Sequence, residues 1–244
     1  MGPMAPAGYG NRVEGVHAVA AALMAGRVQK LFIERGRRDR LRELLADVDE
    51  DRVRIVDDVR SLADTEAPQG VVAQCRPIDP LTLEQLAEGR PAILVLDHVE
   101  DPHNVGAAAR SARAAGVTGM VVSARRAAPL SAAAFKAAAG ALETLPVSIV
   151  NSIPESLSRL KDNEVWIVGL DATADQSLFD LDLLTEPVAV VVGSEGSGLA
   201  ELTRKRCDLI ARIPMATGTE SLNASVSAAL ASFEIMRVRK AALG

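Results

Sequence analysis

Aromatic side chains are nearly missing from this chain. One tryptophan, one tyrosine and four phenylalanines make up 2% of its 244 residues, too few for base stacking to be the main way of holding single-stranded nucleic acid. Cysteine is as scarce. Cys75 and Cys207 lie far apart without CxxC or Cys/His spacing, so neither a disulfide framework nor a structural zinc site is expected, and a reducing cytoplasm fits. Long apolar runs are absent too, and the opening M-G-P-M-A-P-A-G-Y-G has no basic segment followed by an apolar one. No membrane span or export signal is expected. Net positive charge is also lacking: at -5 the chain would not coat nucleic acid by bulk electrostatics, which leaves local basic patches to meet phosphates. Lysine accounts for five of the 27 basic residues. The rest are arginines, which suit bidentate phosphate contacts but also follow from codon bias in an Ala- and Arg-rich genome.

What is present is apolar content, 48% of the chain, enough for one large or two small domains. Residues 1–10, rich in Pro, Gly and Ala, are expected to be disordered. From 11 to 76, helical patterns at Val16 to Ala25, around Leu41, Leu44 and Leu45, and near Val59 to Ala63 alternate with strand-like K-L-F-I-E, R-V-R-I-V and V-V-A-Q. This predicts a small α/β domain. Within it, Arg35, Arg37, Arg38, Arg40 and Arg42 surround the single Asp39, either as a solvated helix face or as a phosphate-binding patch. Pro77, Pro80 and a polar stretch predict a linker over 77–90.

From residue 91 to 244 the pattern changes. A-I-L-V-L at 92–96, G-M-V-V at 119–122, V-W-I-V at 165–168 and V-A-V-V-V at 188–192 read as strands buried on both faces, the mark of a parallel sheet covered by helices. Ligands gather beyond the carboxyl ends of such strands. After the first comes D-H-V-E-D-P-H-N-V-G-A-A-A-R, a polar loop with no pair of metal ligands at helical spacing. It leads into a helix with Asn104 as its expected N-cap and Val105, Ala108, Ala109 and Ala112 as its packing face. Gly106, Arg110 and Arg113 follow at i, i+4, i+7 on the other face, where the bare glycine leaves room for a phosphate or ribose. After the last strand comes G-S-E-G-S-G-L, which fits neither a dinucleotide fingerprint nor a P-loop. Its Glu195 either accepts hydrogen bonds from hydroxyls, or orients an arginine, or supports a following helix.

The third stretch opens on Ile213, Pro214 and Met215, crosses a polar turn around Gly218, Thr219 and Glu220, and runs into a long helix. Leu222, Val226, Leu230 and Phe233 are expected as its core face. Ser221, Asn223 and Ser225 crowd its N-terminus, either to cap it or to hold a polar ligand.

In order and spacing, N-V-G-A-A-A-R at 104–110, G-S-E-G-S-G-L at 193–199, and I-P-M with S-L-N-A-S-V at 213–226 resemble the three motifs of the SpoU/TrmH (SPOUT) RNA ribose methyltransferases. The opening Y-G-N-R-V-E-G-V-H-A-V resembles the subgroup that methylates a guanosine ribose in 23S rRNA. The resemblance implies an α/β methyltransferase domain whose C-terminal segment threads a deep trefoil knot, preceded by a small RNA-binding domain. It implies S-adenosylmethionine as cofactor, contacted by Gly193, Ile213 and Leu222 with Leu170, Met215 and Ser221 as neighbours. It also implies a homodimer in which Arg110 of one subunit completes the other's site, with Asn104, Glu195 and Asn223 positioning that arginine and the ribose. A guanidinium holds its proton, so alkoxide stabilisation and phosphate anchoring suit Arg110 better than proton abstraction. The remaining basic groups, Arg113, Arg125 with Arg126, and Arg204-Lys205-Arg206, are further candidates for gripping RNA. No metal or nicotinamide is called for. A tRNA ribose or antibiotic-resistance rRNA methyltransferase, or a non-catalytic ribosome-assembly factor on the same fold, are the alternatives.

Overall fold

Short strands before residue 76, with mixed burial, and a run of strands after residue 91, three of them buried along their whole length, divide the chain between two sheets. The computed structural model describes residues 8–46, 48–125, 127–217 and 221–242. Residues 1–7 of the expected disordered start, Arg126, and Gly218, Thr219 and Glu220 of the polar turn lie outside these. The first sheet is built from β1 (Arg12–Glu14), β2 (Val28–Glu34), β3 (Val53–Val56) and β4 (Val71–Cys75), with α1 (Val16–Met24) and the single turn α2 (Arg42–Leu45) between them. Its order is β1-β4-β2-β3, with β2 and β3 parallel and the other pairs antiparallel. Val28, Leu31 and Ile33 turn into the core. The helix expected near Val59 to Ala63 is a 3-10 turn, Arg60–Leu62.

The stretch 77–90 is not bare linker. It holds α3 (Leu83–Leu86), started by a capping box between Thr82 and Gln85, with Leu83 and Leu86 buried. Beyond it the chain runs through β5 (Ala92–Leu96), α4 (Pro102–Ala114), β6 (Gly119–Ser123), α5 (Ala132–Ala138), β7 (Val147–Val150) and α6 (Ile153–Asp162). It continues through β8 (Trp166–Leu170), β9 (Gln176–Ser177), β10 (Val188–Val192), α7 (Glu201–Arg206), β11 (Leu209–Arg212) and α8 (Ala224–Ala241). The seven strands of this sheet follow the order β7-β6-β5-β10-β8-β11-β9, and every pairing is parallel. Leu94, Leu96, Val190 and Val192 belong to one face and Ile93, Val95, Ala189 and Val191 to the other, as the period-2 pleat requires.

Two expectations about helices are overturned. Val226, Leu230 and Phe233 do not face the core: they are 44%, 37% and 44% exposed, while Ala224, Ala228, Ala231 and Ile235 are buried. The reason is packing against α4, whose Ala108, Ala109 and Ala112 are also buried. Alanine surfaces let the two helices approach closely, and the larger residues of α8 do not fit between them. Gly106 likewise opens no space for a ligand. It is buried against α5, where an added Cβ would lie 2.3 Å from the Ala134 carbonyl and 2.7 Å from Ala137 Cβ.

Candidate active site

Four neighbouring strands, β5, β10, β8 and β11, end side by side, and the residues leaving their carboxyl ends build the site. Gly193 follows β10, Asp171 follows β8 and Ile213 follows β11. The loop after β10 folds back on itself. The Ser194 and Gly198 backbones exchange hydrogen bonds of 3.1 and 3.0 Å, and Gly196 and Gly198 take φ of 85° and 65°, where glycine is unstrained. At Gly193 the returning loop passes so close that a Cβ would lie 2.2 Å from Gly198 backbone atoms.

These segments enclose a cavity of about 340 Å³ lined by Leu170, Gly193, Ile213, Met215, Ser221 and Leu222, together with Asp171, Thr173, Val192, Ala224 and Ser227. All six residues expected around a cofactor thus share one cavity. Ser221 lines it and does not cap α8; the N-cap is Asn223. Asp171 and Thr173 were missed because their stretch, D-A-T-A-D, carries no motif. Burial opposes ionisation of Asp171, but hydrogen bonds from the Thr173 hydroxyl and backbone and the Arg204 guanidinium outweigh it, and the carboxyl stays below its ordinary range.

Asn104, Glu195 and Asn223 come from three distant segments and meet. Glu195 Oε1 accepts from Asn104 Nδ2 at 2.8 Å and from Asn223 Nδ2 at 2.5 Å, and Asn223 Nδ2 also reaches Asn104 Oδ1 at 3.0 Å. Asn223 Oδ1 in turn accepts from the Ser225 backbone and hydroxyl at 2.9 and 2.6 Å. Asn104 is therefore not the N-cap of α4. Asp101 is, accepting from the His103 N–H at 2.8 Å. The helix begins earlier because Pro102 takes its first position, where its fixed φ fits and no N–H is needed.

Arg110 stands apart. It is exposed on α4 and belongs to the lining of neither this cavity nor the one beside it. Arg113 donates from Nε to Thr144 Oγ1 at 2.9 Å. Arg35, Arg37, Arg38 and Arg40 are all exposed in the short turns after β2, and Arg35 Nε lies 3.0 Å from Asp57. Arg204 is held by Asp171 and Lys205 by Glu201. Both cysteines are buried enough to keep their protons, Cys75 pushed up to about 11 and Cys207 to about 12, burial being the largest cause in each.

The SpoU rRNA methylase family matches residues 91–233, and the RNA 2'-O ribose methyltransferase substrate-binding domain matches residues 12–81. The chain belongs to the SpoU rRNA methylase family. It is 40% identical over 241 residues to the 23S rRNA (guanosine-2'-O-)-methyltransferase RlmB of Pseudomonas aeruginosa, covering 94% of this chain and 97% of that protein. To the protein of the same name from Pseudomonas putida it is 39% identical over 242 residues, with the same coverage. Its fold superposes on the SpoU methyltransferase AviRb from Streptomyces viridochromogenes in complex with AdoMet. There the TM-score is 0.79 at 29% identity, over 94% of this chain and 90% of that one. The family match begins at Pro91, one residue before β5, and includes the four strand ends that form the cavity. Among the described residues no helix is long and apolar enough to cross a membrane.

Proposed function

We propose that this protein is an S-adenosylmethionine-dependent RNA methyltransferase that acts in the cytoplasm on a ribose 2′-hydroxyl of 23S rRNA, at a guanosine. The observation that carries this reading is the convergence of Asn104 and Asn223 on Glu195, which lines the cavity, in a chain of the SpoU family. The cavity fits the cofactor. Leu170, Val192, Ile213, Met215 and Leu222 offer apolar walls to a purine and the carbon chain around a sulfonium, while Ser221, Thr173 and the glycine-rich loop supply hydrogen-bonding groups. S-adenosylmethionine, when bound there, supplies an electrophilic methyl group.

The protein's own residues then have to hold a ribose hydroxyl in line with that methyl and lower the energy of its oxyanion. Asn104 and Asn223 fix the Glu195 carboxylate, whose remaining oxygen is placed to accept from the ribose. Arg110 supplies the charge that stabilises the alkoxide and anchors the neighbouring phosphate. Its distance from Glu195's cavity within one chain supports delivery from a second subunit, and the exposed row Val226, Leu230 and Phe233 supports a homodimer built on α8. Insertion of β10 between β5 and β8, and of β11 between β8 and β9, supports a C-terminal segment threaded as a trefoil knot. We assign residues 11–76 to RNA binding, with Arg35, Arg37, Arg38 and Arg40 meeting phosphates, 77–90 to the connection, and 91–244 to catalysis, where Arg113 on α4 meets a further phosphate.

The test is incubation with radiolabelled S-adenosylmethionine and unmodified 23S rRNA transcript, with tRNA and the Arg110→Ala variant alongside. Label at one rRNA 2′-hydroxyl, lost in the variant, is the expected result. Label in tRNA alone would move the substrate, and absence of cofactor binding would leave a non-catalytic RNA-binding factor.

A further inference from the structure

A second cavity, of about 580 Å³, lies against the first. The two share Ser194, Glu195, Ser197 and Gly198 as a common wall, so whatever fills the second lies beside the carboxylate assigned to the ribose. Its other walls come from the loop after β5, His98 to Asp101, with Asn104 and Ala200. Among the described residues that lining has no lysine or arginine.

Most of its polar side chains are already engaged. Asp101 caps α4, and Asn104 and Glu195 hold each other. Glu100 and His98 remain. Glu100 is exposed. His98 has φ of 58°, a left-handed conformation uncommon for a residue other than glycine. Its Nδ1 lies 2.6 Å from Oδ1 of Asp97, which is fully buried and whose Oδ2 accepts from the Ala200 N–H at 3.0 Å. That contact holds the ring through Nδ1, and in the Nδ1–H tautomer it favours, the lone pair lies on Nε2. The Ser194 and Ser197 hydroxyls pair with each other at 2.5 Å, so the side chains left open in the cavity are chiefly hydrogen-bond acceptors. Such a lining repels phosphate and selects a base edge rich in donors. The Watson–Crick edge of guanine carries two donor groups, N1–H and the N2 amino group, whereas those of adenine, cytosine and uracil carry one.

We propose that this second cavity receives the base of the target guanosine, turned out of its RNA stack, with His98 Nε2 and the Glu100 carboxylate accepting from N1–H and N2–H. His98 is then a specificity-determining residue, oriented by Asp97. This rests on the methyltransferase reading above.

The test uses the full-length protein, His98→Asn and Glu100→Gln. Asparagine tolerates the positive φ and still donates to Asp97 but presents no imidazole lone pair, and Glu100→Gln is an exposed change that leaves the loop's packing intact. The rRNA transcript is supplied with guanosine or adenosine at the mapped target. Each variant is expected to raise KM for the guanosine transcript, and to shrink the guanosine-over-adenosine preference, by on the order of tenfold, with S-adenosylmethionine affinity by calorimetry unaltered. Variants that keep the parental KM and preference would overturn the inference and leave the methyltransferase reading standing. A parental protein that methylates no RNA would overturn both.

Discussion

Asn223 joins structure to chemistry within a single side chain. Its Oδ1 caps α8 and its Nδ2 holds Glu195, so the two roles separate by substitution. Asn223→Ala removes both and should cost about 1 kcal/mol of stability through the lost cap, together with methyl transfer. Asn223→Asp keeps the cap but sets a second carboxylate against Glu195; thermal denaturation should find it close to the parent, whereas single-turnover methylation should find it at least tenfold slower. Equal rates would show that Asn223 is merely a cap. Asp171 makes a second prediction at this scale. Because its folded-state pKa is depressed, it contributes stability that is present above the unfolded carboxyl pKa of roughly 3.9. That contribution is lost as pH falls through the folded value. Urea unfolding from pH 7 to pH 3 should therefore show a steeper acid loss for the parent than for Asp171→Asn. Identical slopes would remove Asp171 from the account.

For the helices, the decisive feature is where the small residues lie. The alanine face of α8 meets the alanine face of α4, and Gly106 lets α4 approach α5. Gly106→Val should force the two helices apart and lower stability by about 1–3 kcal/mol; denaturant unfolding would read the loss. The outward row of α8 carries the dimer proposal. Leu230→Glu places a charge at the centre of that row, and sedimentation equilibrium should show a dimer for the parent and a monomer for the variant. Because Arg110 would then be missing from each partner's site, methyl transfer should fall with it. A variant that stays dimeric would move the interface elsewhere.

Across the whole molecule, the two sheets are locked by one buried cation. Arg27 donates from Nε and Nη2 to Glu143 at 2.6 Å each, from Nη1 to the Gly10 carbonyl at 2.9 Å and to the Arg76 carbonyl, and sits 5.8 Å from the Phe135 ring. Glu143 is 1% exposed at its side chain. Burial works against this guanidinium, yet the Glu143 hydrogen bonds and charge raise its pKa above the usual value. Glu143→Ala would leave the cation buried and unpaired, a loss on the order of 3–5 kcal/mol. Calorimetry is expected to show a lower midpoint and limited proteolysis a cut between the two units. An unchanged midpoint would mean that the packing of Phe135 beneath Gly10 holds the units by itself.

Much of this was legible in local chemistry. The runs at 92–96 and 188–192 coincide with β5 and β10 because an unbroken β-branched and leucine run has few alternatives to a strand covered on both faces. The six cavity residues were legible only through the resemblance of their stretches to the SpoU/TrmH motifs. Less legible were β7 and α6, whose shorter or more mixed apolar patterns left them unassigned. The starting point of α4 and the outward turn of Val226, Leu230 and Phe233 were misread, since periodicity shows that a helix has faces but not which neighbour each face will meet. The division between two sheets and the parallel second sheet follow from propensity and apolar patterning along the chain, whereas the motif residues were legible through their likeness to the family. That Asn104, Glu195 and Asn223 meet and that Gly106 is a packing residue emerges from the fold alone. Those facts depend on which strands lie side by side, and side-by-side order is set by long-range packing that no local stretch of sequence encodes.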